Sequence, residues 1–254
     1  RSLDVDPGYV TKNLFIVQPD ASQRSAKASP AAGATALMVR DQMRATPGIE
    51  SVGAVEIAPY FGAGTSSART NGMASSVSVH FNEADEHYFE TLGIRPIRGR
   101  IFRTDDPGVA VVNARLARMF WGSEDAALGR ALEIGVAGYG ASTTSVRVVG
   151  VIPSIQTTTP GVPDEATYYV PLTGQRASSA FLVVRAREGT RVPQVATAVT
   201  HAVDADAVTT VTPLEERLVA MTMPARIGAR VAGLIGVLAL LVSAVGIHCI
   251  VAHA

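Results

Sequence analysis

The side chains best suited to chemistry gather around residue 80. His80, Glu83 and His87, with Asp85 and Glu86 nearby, offer imidazole and carboxylate donors of the kind that hold zinc. Their spacing argues against a metal centre. His80 falls in a strand-like stretch and His87 in a helical one, and there is no H-E-x-x-H or comparable spacing. Glu83 and Glu86 read more simply as first-turn acids favoured at a helix N-terminus. Asp105 and Asp106 are adjacent, so their side chains diverge; they suit a turn better than a catalytic carboxylate pair. No G-x-S-x-G elbow presents a serine nucleophile. The two lysines, Lys12 and Lys27, lie outside any G-x-x-x-x-G-K-[ST] loop, so the chain does not hydrolyse ATP by that route. The single cysteine, Cys249, leaves no internal disulfide and no Cys-based zinc site. Arg95, Arg98, Arg100 and Arg103 form a basic run able to grip an anionic lipid or partner, though a solvated loop face is the simpler reading. No catalytic, cofactor-binding or metal-binding residue is assigned.

Composition narrows the class further. The chain has 254 residues, 47% hydrophobic and only 17% charged, which excludes a disordered protein. Lys+Arg and Asp+Glu balance at 22 each, so the electrostatic footprint of a nucleic-acid binder is missing. Length allows one large domain or two small ones. With Arg1 at the start and no polar tail after Ala254, the sequence is expected to be a piece of something longer.

The most apolar stretch lies at the C-terminal end. From Val231 to Ala254 there is no Asp, Glu, Lys or Arg over 24 residues. A helix of that length spans about 36 Å against a hydrocarbon core of roughly 30 Å, so a transmembrane helix is expected. Small residues recur at four-residue spacing in Gly228, Ala232 and Gly236, and recur again in Ala239, Ser243 and Gly246. Such stripes let neighbouring helices approach closely, which favours one helix of several over a lone anchor. His248 and His253 read as interfacial or packed histidines rather than relay groups.

Before Pro224 the pattern is mixed α/β. An apolar run from Asn13 to Gln18 predicts a strand stopped by Pro19, and a helix is expected over Ala31–Ala45, ended by Pro47-Gly48. Ser51–Ile57 follows as a second strand. The same order returns later as a strand at Phe181–Arg185, a helix at Val192–Val203 and a strand at Val208–Val211, with a further helix from Pro213 to Ala220. Two such units side by side would make a split βαβ layer. Between them the sequence predicts strands at Ser76–Phe81, Val109–Val112, Val146–Ile152 and Thr167–Leu172, with a helix at Asp85–Leu92. A second helix is expected at Asn113–Trp121, with Asn113 as N-cap, Leu116, Met119 and Phe120 buried, and Gly122 as stop. Gly135–Thr144 reads as a mobile loop.

Several stretches in order then carry a resemblance: His87-Tyr-Phe-Glu-Thr-Leu-Gly-Ile-Arg-Pro-Ile-Arg-Gly-Arg-Ile-Phe102, Val109-Ala-Val-Val-Asn-Ala-Arg-Leu-Ala-Arg-Met-Phe-Trp121, Leu128-Gly-Arg130 and Val146-Arg-Val-Val-Gly-Val151. Tyr168-Tyr-Val-Pro-Leu172, Pro213-Leu-Glu-Glu-Arg-Leu218 and Ala244–Ala252 extend it. The chain resembles the periplasmic core domain of ABC transporter permeases of the macrolide-exporter and lipoprotein-release type. It is most similar to the long, duplicated permeases of acidobacteria. Asp125-Ala-Ala-Leu-Gly129, Asp105-Asp-Pro-Gly108 and Val151-Ile-Pro-Ser154 depart from the family pattern, all in turns.

The resemblance implies an α/β (α+β) fold. A porter-like split βαβ layer would come from residues 1–60 and 176–222, with an inserted mixed α/β subdomain at 61–175 and a stalk and transmembrane helix at 223–254. It implies mechanical work without catalysis, in which ATP binding by a separate subunit moves helices whose motion reaches the periplasm. The implied partners are that ATP-binding subunit, other helices of the same permease, a second copy or the duplicated half, and a periplasmic partner the sequence does not name. The implied place is the bacterial inner membrane, with the soluble region in the periplasm. A different class remains open: a tail-anchored binding module or hydrolase. Arg226 and Arg230, on the N-terminal side of the apolar helix, would by the positive-inside tendency put the soluble part in the cytoplasm.

Overall fold

Sixteen elements alternate along the computed structural model, which describes residues 6–20, 30–103, 105–135, 143–173, 177 and 180–222. The chain runs β1 (Leu14–Asp20), α1 (Pro30–Arg44), β2 (Ile49–Val55), β3 (Gly64–Arg69), β4 (Val77–Ala84), α2 (Glu86–Leu92), β5 (Arg98–Gly99) and β6 (Val109–Asn113). It continues through α3 (Ala114–Trp121), α4 (Glu124–Ala127), β7 (Ala131–Gly135), β8 (Thr143–Ile152), β9 (Thr167–Pro171), β10 (Phe181–Ala186), α5 (Val192–Val203) and β11 (Val208–Pro213). Residues 1–215 make one compact unit and 216–254 a second, of which the described part is helical.

The strands follow the path β11-β1-β10-β2-β4-β3-β7-β8-β6-β9, and β9 also pairs with β4. That last pairing, parallel from His80↔Thr167 to Ala84↔Pro171, closes β4, β3, β7, β8, β6 and β9 into a six-stranded ring. Closure removes the free edges that a strand row of this kind would otherwise expose. The other four strands form an open antiparallel layer, β11-β1-β10-β2, in which strands from the two ends of the described chain alternate.

Each part has its own apolar core. In the ring, Ala110, Val112, Leu132 and Val148 are fully buried and α3 adds Leu116 and Ala117. In the open layer, Val39 and Met43 of α1, with Val192 and Ala196 of α5, cover Val17, Val52, Leu182 and Val184. The helix α5 occupies the predicted span, and its Pro193 sits in the first turn, where a missing N–H costs nothing. The mixed α/β class and the strand-rich middle expected from the sequence are what the chain adopts.

The helix α3 shows how closely local chemistry is obeyed. The Asn113 side chain accepts from Leu116 N–H at 2.9 Å, and Gly122 ends the helix at φ 80°. Buried Asn113 also accepts from Thr167 N–H at 3.1 Å and donates to the Glu165 carbonyl at 2.7 Å, so the cap ties α3 to β9. Leu116→Ala is expected to cost about 2–5 kcal/mol in urea denaturation, because Leu116 is wholly enclosed. A shift below about 0.5 kcal/mol would show that the site is not core.

Four expectations are corrected. Pro19 does not stop the first strand: it lies within β1, opposite Thr209. The β10 ladder covers only Leu14–Val17, so at Pro19 the strand has one neighbour and an absent N–H is tolerated. Met119 is 57% exposed, because the inward face of α3 is centred between Ala117 and Phe120, away from Met119. The bounds of the expected loop Gly135–Thr144 are strand residues, β7 finishing at Gly135 and β8 beginning at Thr143, while residues 136–142 lie outside the described residues. Glu83 is not in a helical first turn but near the end of β4. The short strands β3, β5 and β7 were not expected at all; β3, Gly-Thr-Ser-Ser-Ala-Arg, buries only Ala68 and offers no apolar alternation to read. The proposed transmembrane helix and its packing residues Gly228, Ala232, Gly236, Ala239, Ser243 and Gly246 lie outside the described residues.

Candidate functional site

The ring and the open layer share little backbone. β2 and β4 are paired only at Val55↔Ala84, flanked by Asp85 N–H to the Ala54 carbonyl at 2.9 Å and Glu56 N–H to the Glu83 carbonyl at 2.8 Å. What strengthens this narrow join is α2, which leaves β4 directly and lies against β2.

Three contacts fix α2 to the open layer. At its N-terminus the buried Asp85 carboxylate accepts from Tyr88 N–H at 2.9 Å and from Arg40 Nη1 of α1 at 3.0 Å. A carboxylate there satisfies a helix N–H and complements the positive end of the helix. At the C-terminus Arg185 of β10 donates from Nε to the Thr91 carbonyl at 2.8 Å, which suits the negative end. The same guanidinium donates to the Val10 carbonyl at 2.9 Å and the Lys12 carbonyl at 3.3 Å, binding in the segment before β1. In the middle, Gly53 of β2 lets the helix backbone come so close that a Cβ there would lie 2.4 Å from Tyr88 Cα and 2.5 Å from its nitrogen.

The opposite attachment is aromatic. Phe89 packs edge-on against Tyr169 of β9 at 5.3 Å and Phe102 at 5.9 Å between ring centroids, and Tyr88 meets Tyr169 at 6.4 Å. Burial drives the phenols of Tyr88 and Tyr169 far above the usual tyrosine range, so both stay neutral. Beside them Asp164 accepts from both the N–H and the hydroxyl of Thr157, at 2.8 and 2.5 Å, and of Thr158, at 3.2 and 3.0 Å. Tyr60, held at φ 66°, donates its N–H to the Thr157 carbonyl at 2.5 Å. Its phenol is pushed up to about 12, mainly by burial.

Burial weighs unequally on the two members of the Asp85–Arg40 pair. Burial raises Asp85 above the usual carboxylate value in spite of Arg40, whereas Arg40, which burial would lower, ends raised by Asp41 and Asp85. Asp85 governs the energetics. Its side chain is 1% exposed, while Arg40 is held on its outer side by a solvated partner, Asp41, at 2.7 Å.

The residues singled out from the sequence do not assemble elsewhere. His80 lies in β4, and His87 in α2 sits 3.8 Å from Glu86 and 3.9 Å from Glu90. The buried Glu83 carboxylate accepts from Thr173. Among the described residues there is no group of three or more His, Cys, Asp or Glu able to hold a metal ion. The basic run is dispersed into exposed ion pairs, Arg98 with Asp125, Arg100 with Asp106 and Arg103 with Asp105, while Arg95 is exposed. Asp106 is held below the usual carboxylate value by its hydrogen bond from Arg100. Sequence reasoning missed Arg40, Arg185 and Gly53, and it placed Asp85 at the start of a helix without giving it the role of cap and partner to Arg40. Two signals were available: an Asp directly before a helical run, and an isolated glycine inside an apolar strand, which marks close backbone approach.

A closed strand ring lies beside an open layer, with the gripped helix α2 at their join. The chain belongs to the MacB-like periplasmic core domain family, whose pattern matches residues 4–202. Solved structures agree on the fold. The periplasmic region of MacB from Actinobacillus actinomycetemcomitans superposes with a TM-score of 0.54 at 12% identity, covering 82% of this chain and 91% of that one. The extracellular domain of the ABC-type transporter YknZ from Gram-positive bacteria gives 0.53 at 15%, covering 79% and 100%. A domain of a protein described as a permease from Porphyromonas gingivalis gives 0.53 at 18%, covering 81% and 92%. Comparison with curated proteins returns no relative. The resemblance to the periplasmic core of an ABC transporter permease therefore holds.

Proposed function

We propose that this chain transmits ATP-driven motion from an inner-membrane permease to an export or envelope process, and that α2 is the part that carries the motion between its two halves. The reading divides the soluble region into a porter-like layer, residues 1–60 and 176–222, and an inserted subdomain, 61–175. A stalk and transmembrane helix follow at 223–254. The observation that supports it is the double grip on α2. Arg40 and Arg185 hold its two ends from the open layer, while Phe89 and Tyr88 engage Tyr169 of the ring. A displacement of the open layer would then carry the ring with it rather than open the single-residue β2–β4 join.

On this reading the chain itself catalyses nothing, and ATP hydrolysis belongs to a separate subunit. A stripe of Gly228, Ala232, Gly236, Ala239, Ser243 and Gly246 packs against other helices of the same permease, in a homodimer or against a duplicated half. Gly236→Leu is expected to reduce co-purification of the full-length permease with those partners, and unchanged association would remove the packed face.

Two measurements test the rest. Ser76 and Glu188 are both exposed, so cysteines there should label in intact cells if the soluble region faces the periplasm. Labelling only after permeabilisation would favour the tail-anchored module suggested by Arg226 and Arg230. In proteoliposomes holding the full permease and its ATPase, energy transfer from a dye at Ser76→Cys to acceptor lipids should change on adding ATP. An unchanged signal would overturn transmission.

A further inference from the structure

Residues 6–13, just before β1, run from the ring to the open layer. One end lies on the loop that joins β8 to β9. There Gln156 donates its backbone N–H to the Pro7 carbonyl at 2.9 Å and its Nε2 to the Asp6 carbonyl at 3.0 Å. The other end lies on β10. Arg185 donates to the Val10 and Lys12 carbonyls, and Ala186 N–H to the Asn13 carbonyl at 3.1 Å. The segment therefore bridges the two parts of the fold by a route separate from the β2–β4 join. It shares one guanidinium, that of Arg185, with the C-terminus of α2.

The bridge is thinly held. Pro7 and Tyr9 are buried, whereas Asp6, Gly8, Val10 and Lys12 are exposed, so two side chains carry most of the inward packing. Burial drives the Tyr9 phenol, with Tyr60 as its neighbour, far above the usual tyrosine range, and it stays neutral. The rest of the grip is hydrogen bonding to main-chain carbonyls. A segment without regular structure and with few buried apolar contacts opens before the fold as a whole does.

Backbone strain falls at the same place. Among the described residues, Asn13 and Tyr60 are the non-glycine residues with positive φ, at 57° and 66°. Asn13 ends the bridge, and Tyr60 lies against it. Asparagine adopts this conformation more readily than most residues; tyrosine does so only where its surroundings enforce it. Undocking of Tyr9 would loosen those surroundings and so release strain as well as contacts.

We infer that residues 6–13 are a releasable strap between the ring and the open layer. Docked, the strap makes the two parts move as one; undocked, it shifts the load to α2 and the single-residue β2–β4 join. Its use in transmission rests on the coupling reading of α2, but its opening does not.

Amide exchange and a reversible lock test the strap in the intact chain. Gln156 N–H, bonded to Pro7, should exchange at least about tenfold faster than Val148 N–H, bonded to Arg130 within the ring. Leu116→Ala should speed Val148, which exchanges by unfolding, and leave Gln156 within about twofold of its parent rate. For the lock, a Cβ built on Gly8 would stand 3.9 Å from Ile155 Cβ, within disulfide range. In a Cys249→Ser background, Gly8→Cys with Ile155→Cys should close on oxidation, with the reduced form as its own control. Closure should slow Gln156 at least about tenfold and also slow Glu56 and Asp85, whose amides flank the join. Four results would each overturn the inference: Gln156 as slow as Val148, equal acceleration of both by Leu116→Ala, a cysteine pair that does not close, or join amides indifferent to the lock. A strap that opens and locks as expected, beside energy transfer in proteoliposomes that ignores ATP, would remove transmission and leave the strap standing.

Discussion

Gly53→Ala should lower the stability of the chain by about 3 kcal/mol, read from the urea midpoint, although it adds a single methyl group. The new Cβ would stand 2.4 Å from Tyr88 Cα, 2.5 Å from Tyr88 N and 2.8 Å from His87 C, which are all backbone atoms. A flexible side chain could swing aside; a helix backbone cannot. Relief requires α2 to lift from β2, and that stretches the Asp85–Arg40 and Arg185–Thr91 contacts together. Ser51→Ala, two residues earlier on the same strand, is the control and should stay within about 0.5 kcal/mol of the parent chain. A similarly small effect at Gly53 would mean that α2 has room to shift, and the tight coupling argued for it would fail.

Removing the Asp85 carboxylate should have a comparable effect for a different reason. Asp85→Ala deletes the cap on Tyr88 N–H and strips Arg40 of its buried partner, with an expected loss of about 3 kcal/mol. The upper range for a broken buried pair is not reached, because Arg40 keeps Asp41. Asp85→Asn keeps a capping oxygen and should cost only about 1–2 kcal/mol. In a double-mutant cycle with Arg40→Met the coupling energy should be at least about 1 kcal/mol, since the two groups touch.

The pH dependence carries its own sign. Burial raises the folded-state pKa of Asp85 above its unfolded value near 3.8. Between those two values the folded chain holds more protons than the unfolded one, so stability falls as pH rises through that window. The contribution of protonated Asp85 is complete below the unfolded value and lost above the folded one. The stability of the parent chain relative to Asp85→Asn should therefore increase as pH is lowered from 7 to 3. An ordinary exposed ion-paired aspartate would give the reverse, and that slope would show that Arg40 outweighs burial.

Much of this protein is decided locally and can be read along the chain. The helix α5 begins and ends where apolar spacing puts it, and α3 has the cap and stop that Asn113 and Gly122 announce. Strong strands such as Val109–Asn113 are legible because burial on both faces demands an unbroken apolar run. The order of elements, with a strand–helix–strand unit at either end, was readable for the same reason, and the ordered stretches between them carried the family resemblance.

Other features depend on partners distant in sequence. β3 is a strand because β4 and β7 complete its hydrogen bonds on either side, with almost no apolar signal of its own. Closure of the ring rests on pairing between β4 and β9, more than eighty residues apart. Met119 and Phe120 differ in burial only because of where α3 meets the ring. Above all, the grip on α2 joins Arg40, Gly53, Asp85 and Arg185, which stand alone in the sequence and meet only in three dimensions. Backbone propensity and hydrophobic period act over a few residues, so the sequence by itself determined the elements, their order and the class. Close approach, burial of charge and ring closure are set by distances between elements, and only the tertiary structure decided them.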